Sequence, residues 1–404
     1  MSEDRPDLGT LGSPFNDNPY PMLARLREAG PVRQVRYYGV PASLVTRFAD
    51  VQAVYSDARL SVDPANAGDE AREVLWVVAW ELIGLGKGIV FQDPPGHTRL
   101  RRLVSKAFSG RGVEALRPVL RQITRQLLDG IVPRGQADII KDFSVPLAAQ
   151  TIMTLIGMPL QDREQFQAMS NLFLSTDPAD KAKVPRALEW MQNYIDGLVE
   201  AKRDTPADDL LSELIAVRDK DDRLDETELR SMVLLLLMAG FETTASFIGN
   251  GVLTLIQNPQ QMRTLRAEPS LIPAAIEEML RYCGPGKAAL PRFATEDLTI
   301  GGVSIDRGDT VLASPAAANR DPRRFPAPDT FDVRRGETGH IAFAHGIHYC
   351  LGASLARMES EIAISALLHR CQDIEVAVPV NELSWRVTPL IRGLVQLPVK
   401  LSAL

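Results

Sequence analysis

"FAHGIHYCLGASLAR", Phe343 to Arg357, sets two histidines, a cysteine and two glycines in its first ten positions and then runs into a helical pattern. Gly346 and Gly352 stand four before and two after Cys350, a spacing that permits a tight turn with backbone N–H groups near the sulfur. The last helix is expected from about Cys350 to His369, and its positive amino-terminal end favours an anionic sulfur at its start. A thiolate in that setting calls for a metal or an electrophile. Two other readings stand beside it. Free cysteine is most often a small buried hydrophobe, and His345, His348 and Cys350 could join in a zinc site, although no matching ligand pair follows elsewhere in the chain.

The bulk properties narrow the field. The chain has 404 residues, 45% of them hydrophobic and 24% charged, enough to bury a large core. No Pro/Gly/Ser-rich or charge-rich stretch divides it and no fixed-period repeat runs through it, so residues 1–404 read as one unit. The start, "MSEDRPDLGTLGSPFNDNPYP", is acidic and lacks the basic and apolar regions of a secretion signal, which favours a cytoplasmic protein. The longest apolar run, Val233 to Ala239, falls far short of the roughly 20 residues that span a bilayer, so no membrane anchor is expected. Cys283, Cys350 and Cys371 are the only cysteines, an odd number that argues against a disulfide framework.

Patterning predicts a mainly α fold with a small β region. A strand is expected at "SLVTRF", Ser43 to Phe48, and helices from about residue 97 to 285. "LDETELRSMVLLLLMAGFETTASFIGNGVLTLIQNP" reads as one helix of about thirty residues, with Asp225 as N-cap and Asn258-Pro259 as the stop. Too apolar to be solvated, it should cross the core. A helix ending at Tyr282, strands and turns in "LTIGGVSIDRGDTVLA" and an irregular Pro-rich passage from Asp321 to Asp332 follow.

The cysteine stretch resembles the haem-binding loop of the cytochrome P-450 superfamily, Phe-Gly-x-Gly-x-His/Arg-x-Cys-x-Gly. "DPPGHTRLRRLV" (93–104), "AGFETT" (239–244), "EEMLR" (277–281), "PRFATED" (291–297) and "ANRDPRRFPAPDTFDVRR" (318–335) resemble the family's other segments, in the family's order. One departure is visible: Ala344 stands where the family usually has glycine. The resemblance implies a single-domain fold with haem b between the long central helix and the cysteine-loop helix.

It also implies roles. Cys350 would be the iron ligand, shielded by Phe343, with Gly352 completing the loop. His97 and Arg101, one helical turn apart, would reach the haem propionates together with Arg292 and His348. Glu278 and Arg281, spaced i, i+3, would form a buried triad with Arg335 that holds the Pro-rich passage; taken alone such a pair is usually solvated. Glu242 and Thr243 would be the catalytic pair above the iron. Thr243 would stabilise the reduced oxygen there by hydrogen bonding and Glu242 would relay protons. A mid-helix threonine can equally do no more than bond the carbonyl four residues back. Gly240 costs about 1 kcal/mol in a helix, a cost that fits a turn opened over a ligand.

Eight basic residues lie between Gly96 and Arg125 (Arg99, Arg101, Arg102, Lys106, Arg111, Arg117, Arg121 and Arg125) against one acid, Glu114, in a chain of net charge −6. Nucleic-acid binding is disfavoured by the overall acidity and the lack of a recognised module. Some of these residues are expected to face propionates, and others to join Arg323, Arg324 and Arg357 in a positive face that steers an acidic ferredoxin; a solvated face without a partner is the plain alternative. "GLGKG", Gly84 to Gly88, lacks the first glycine and the Ser/Thr of a phosphate loop. Trp76, Trp80, Ile83, Ala239, Gly240 and Lys287 are candidates to line a substrate pocket. Lys287 would either extend to solvent with its stem on the pocket wall or meet a polar group of the substrate; the first is preferred, because an unpaired ammonium beside an apolar pocket is costly.

The implied activity is that of a monooxygenase taking electrons from NAD(P)H through ferredoxin reductase and ferredoxin. It would insert one atom of dioxygen into an apolar small molecule, such as a polyketide or macrolide. A peroxide-dependent peroxygenase and a non-catalytic haem-thiolate binder are the competing readings.

Overall fold

In the computed structural model the described residues are 5–74, 87–105, 108–173, 182–216, 224–336 and 339–404. The helices of ten or more residues are α1 (Tyr20–Ala29), α2 (Gly96–Ser105), α3 (Gly110–Ile131), α4 (Val145–Ile156), α5 (Arg163–Phe173), α6 (Val184–Asp204), α7 (Glu226–Gln257), α8 (Ile272–Cys283) and α9 (Ala353–Arg370). Helix α7 is the spine. Asp225 accepts from the Glu228 N–H at 2.7 Å and Glu228 accepts in return from the Asp225 N–H at 3.0 Å, a complete capping box. At the other end Pro259 cannot continue the ladder and opens a new short helix.

At 32 residues, α7 runs about 48 Å. It is buried almost all round, lying along α4 and against α6, α8 and α9. Its first half joins one apolar core with α2, α4, α6 and the start of α9; its second half joins another with α3, α8 and the end of α9. Burial of each large aliphatic side chain in such a core contributes roughly 1.5–3 kcal/mol. Helix α7 and the segment Ile139–Ile156 are long and apolar enough to cross a membrane, yet 72% of the apolar stretch of each is buried inside the fold. Core packing accounts for their composition.

The β region is small. Strands β1 (Val32–Tyr37) and β2 (Val40–Val45) form a hairpin. β3 (Leu60–Ser61), β5 (Arg292–Ala294) and β8 (Thr310–Ala313) complete a five-stranded sheet in the order β1-β2-β8-β5-β3. β2 and β8 pair in parallel, Val45 beside Ala313, while β5 runs antiparallel to both its neighbours. β4 (Gln136–Asp138), β9 (Cys371–Val376) and β10 (Pro398–Ala403) make a three-stranded sheet, and β6 (Leu298–Ile300) pairs with β7 (Val303–Ile305). The expected strand at Ser43–Phe48 thus ends at Val45, and Phe48 instead opens a helix to Ser56. The last helix begins at Ala353, three residues beyond Cys350, and a short 3-10 turn, Gly346–His348, precedes the cysteine.

Candidate active site

The Cys350 N–H donates to the Phe343 carbonyl at 2.9 Å, closing the loop on itself. Gly346 has φ +71, and a Cβ there would stand 2.7 Å from the Tyr55 carbonyl oxygen, so both backbone and space demand glycine. Ala344 is also left-handed, at φ +61, a conformation that glycine adopts without the strain alanine bears. Gly352 has an ordinary φ of −85 and open space beside its Cα. What it brings is its N–H, which bonds the Cys350 sulfur. Cys350 is exposed in area but set among enough protein that burial raises its pKa, as for a residue lining a hollow. The Gly352 N–H and the charges of Arg101 and Arg357 pull the other way. Arg357 lies 4.6 Å over the Phe343 ring and grips Glu277 through two bonds of 2.6 and 2.9 Å. Burial pushes the Glu277 carboxyl up, but His340 and Arg357 outweigh it and bring it to about 2.

Four basic side chains from three places converge beside this loop: His97 and Arg101 from α2, Arg292 from β5 and His348 from the 3-10 turn. The rings of His97 and His348 lie 4.3 Å apart. Burial, joined by the charges of His97, Arg292 and Arg101, drives His348 down to about 3. Burial likewise lowers His97, Arg101 and Arg292. Arg292 donates to the Leu60 carbonyl at 3.0 Å and sits 5.6 Å from the Tyr55 ring centroid. Asp93, the acid in electrostatic reach of His97 and Arg292, is itself engaged by the Ser61 hydroxyl and the Val62 N–H. The buried Nε2 atoms of His97 and His348 have no hydrogen-bond partner among the described residues. Buried polar atoms are rarely left so; this cluster is built for an anion with several oxygen acceptors.

In the middle of α7 the Thr243 hydroxyl donates to the Ala239 carbonyl at 2.9 Å and Thr244 to Gly240 at 3.2 Å, and the helix runs through unbroken. Glu242 is buried and ion-paired with Arg386. Burial raises its pKa, and Arg386 limits the rise. Glu278 and Arg281 pair through bonds of 2.7 and 2.8 Å, and the Arg335 Nε donates to Glu278 at 3.1 Å. The two arginines also donate to carbonyls of Asn319, Pro326, Ala327, Pro328 and Thr330, tying the Pro-rich passage to α8.

The cytochrome P450 family model matches residues 16–379. The chain belongs to the cytochrome P450 family. It is 42% identical to the cytochrome P450 monooxygenase PikC of Streptomyces venezuelae, over 98% of this chain and 94% of that one. It is also 42% identical to the 6-deoxyerythronolide B hydroxylase of Saccharopolyspora erythraea, over 98% and 99%. Among solved structures, the tirandamycin C-bound P450 monooxygenase TamI superposes with a TM-score of 0.88 at 41% identity, covering 97% of this chain and 99% of that one. The fold is the P450 fold, and the chain is a P450 monooxygenase that uses haem-thiolate and dioxygen chemistry with a small-molecule substrate and redox partners. The residues present fit that cofactor: two unpartnered imidazole nitrogens and two arginines suit its carboxylates, and a cysteine on the adjoining loop suits its iron.

Several expectations are corrected. Lys287 is 2% exposed and donates to Asn16 Oδ1 at 2.7 Å, 5.4 Å over the Phe15 ring, so it does not reach solvent and its ammonium already has a partner within the chain. Its backbone bonds Leu390, which turns the side chain toward the amino-terminal segment. Gly240 serves close packing, since a Cβ there would meet Ile152 of α4 at 2.7 Å; Ala239, one residue earlier, is exposed, as a pocket-lining residue requires. The basic residues do not form one face. Arg99 pairs with Glu228, Arg117 with Glu114, and Arg323 with Glu28 and Asp321, while Arg324 lies over the Phe48 and Phe325 rings. Arg101 and Arg357 are the ones that act on Cys350. Trp76, Trp80, Ile83 and Lys106, with most of "GLGKG", lie outside the described residues. Sequence reasoning missed Arg386, 144 residues from the acid it holds; no local pattern marks it.

Proposed function

We propose that this enzyme hydroxylates or epoxidises a polyketide- or macrolide-type metabolite in the cytoplasm, with electrons from NAD(P)H delivered through a ferredoxin reductase and a ferredoxin. The observation that carries the substrate class is the set of relatives matched over nearly their full length, among them the 6-deoxyerythronolide B hydroxylase and the mycinamicin IV hydroxylase/epoxidase of Micromonospora griseorubida. For a hydroxylation the balance is R–H plus dioxygen, two electrons and two protons giving R–OH and water. Bound haem supplies an iron centre where dioxygen is reduced and cleaved, and the Cys350 thiolate would be its protein ligand.

The chain's own residues then bind and move protons. His97, Arg101, Arg292 and His348 would hold the cofactor's carboxylates, with the two Nε2 atoms gaining the partners they lack. Phe343, capped by Arg357, would shield the sulfur, and the Gly352 N–H would steady its charge. Glu242 is suited to deliver protons, because burial raises its pKa above the usual carboxylate value while Arg386 opposes the rise. Thr243 would exchange its bond to Ala239 for one toward the oxygen being reduced. The triad of Glu278, Arg281 and Arg335 would hold the scaffold and touch no reactant. An acidic ferredoxin would dock on the side of the Cys350 loop, where Arg357 and Arg101 lie.

The test is a screen of macrolides and polyketides for a low-spin to high-spin shift of the haem Soret band, followed by turnover with a surrogate ferredoxin and reductase. Thr243→Ala should bind haem and substrate normally yet divert most electrons to hydrogen peroxide, and Glu242→Gln should slow turnover about tenfold or more. Unaltered coupling in Thr243→Ala would remove the assignment.

A further inference from the structure

A groove of about 520 Å³ runs between α3, the start of α8 and the end of α9. Arg117, Arg121 and Arg125 line it from α3 at intervals of four, which sets them in a row about 12 Å long on one helix face. His369 and Arg370 line it from α9. Glu361 is the one acid in the lining, and Arg117 lies within electrostatic reach of it. Arg117 and Arg370 have acid partners, Glu114 at 2.6 Å and Asp129 at 2.8 Å. Arg121 lies in electrostatic reach of Glu114, but neither it nor Arg125 makes an ion pair among the described residues.

Two further features point the same way. The groove is also lined by Thr124, whose residue is 1% exposed and whose hydroxyl has no partner among the described residues. Thr151, Thr154, Thr243, Thr244, Thr254 and Thr264 all donate to the carbonyl four residues back; Thr124 does not. Ile272 and Pro273, the first residues of twelve-residue α8, line the groove as well, and that helix start carries no side-chain cap. The Ile272 N–H is taken by the Pro269 carbonyl and Pro273 has none, so the helix start contributes its dipole rather than a free donor.

We propose that this groove is a second ligand site, for a diphosphate-bearing small molecule, with Arg121 and Arg125 as charge partners and Thr124 as a buried hydrogen-bond donor. Arg121 and Arg125 stand one helical turn, about 6 Å, apart, which suits two linked phosphates better than one, and the volume is sufficient for a nucleoside diphosphate. The source is decided by comparing pyrophosphate, ADP and AMP.

Equilibrium dialysis of the haem-loaded full chain against radiolabelled pyrophosphate should show one saturable site, weakened by added salt. Arg121→Ala and Arg125→Ala should each reduce affinity about tenfold or more, and near-isosteric Thr124→Val several-fold. Arg111→Ala, on the same helix but outside the groove, should change nothing. ADP binding more tightly than pyrophosphate would identify a nucleotide, and AMP should bind more weakly than either. No saturable binding, or equal affinity in the three groove variants, overturns the site. So does a result in which Arg121→Ala and Arg125→Ala slow reduction by ferredoxin while pyrophosphate fails to bind, since the groove would then be a protein-docking face.

Discussion

Two clusters of buried charge in this enzyme are built on opposite principles. Around Glu278, Arg281 uses all five guanidinium hydrogens: two go to the carboxylate and three to the carbonyls of Asn319, Pro328 and Thr330. Glu278 takes two more bonds, from Arg335 and from the Asp332 N–H at 3.0 Å. Around His348, four basic groups crowd together; among the described residues two ring nitrogens are unpartnered and one protein acceptor, the Leu60 carbonyl, is bonded to Arg292. The first cluster closes its electrostatics within the chain and holds structure. The second leaves them open, and its ligand must close them. The balance of donors and acceptors distinguishes scaffold from site where composition alone does not.

The contrast breaks most visibly at Arg281. Arg281→Met strands a carboxylate that is 2% exposed, and removing one partner of a buried pair costs about 3–5 kcal/mol. Urea unfolding of the haem-free chain should show that loss; a change below about 1 kcal/mol would mean that Arg335 and the Asp332 N–H suffice for Glu278. Next in size is Arg292→Met. It removes a buried cation whose desolvation is unfavourable and whose charge opposes protonation of His348, so the haem-free chain should keep its stability to within about 1 kcal/mol. Haem should transfer to apomyoglobin about tenfold faster or more, because a charged hydrogen bond to the cofactor is lost. Equal loss of stability in both variants would erase the distinction drawn between the clusters.

What could be read in advance follows from how local each signal is. Helix α7 was legible because Asp225-x-x-Glu228 and Asn258-Pro259 mark its ends within the segment itself. The cysteine loop was legible because Gly346 answers to a backbone constraint at that position. Gly240 was misjudged: the sequence shows a helix glycine but not that Ile152 of another helix fills its missing side chain. Arg386 was invisible for the same reason. Its tie to Glu242 joins the centre of α7 to a loop near the carboxyl terminus, and 45 lysines and arginines offer no way to choose it. Ala344 shows the reverse case. The residue type alone flagged a departure, and φ +61 says what that departure strains.

Lys287 sharpens the comparison at its smallest scale, as a single buried cation with one neutral partner. Burial, with the nearby charge of Arg392, lowers its pKa from 10.5 to about 7. Between those values the unfolded chain holds a proton that the native chain has released, so unfolding free energy rises with pH across the window. Below about pH 7 the native lysine is charged as well and the full cost of burying it is felt. One proton corresponds to about 1.4 kcal/mol per pH unit, so from pH 7.5 to 9 the wild type should gain up to about 2 kcal/mol relative to Lys287→Met. Parallel stability curves would show that the bond to Asn16 keeps the ammonium charged throughout. Because the side chain packs on Phe15 and Asn16, spin-state titrations with any substrate found by the screen should give the same affinity in both proteins. A tenfold weakening in the variant would return Lys287 to the substrate site.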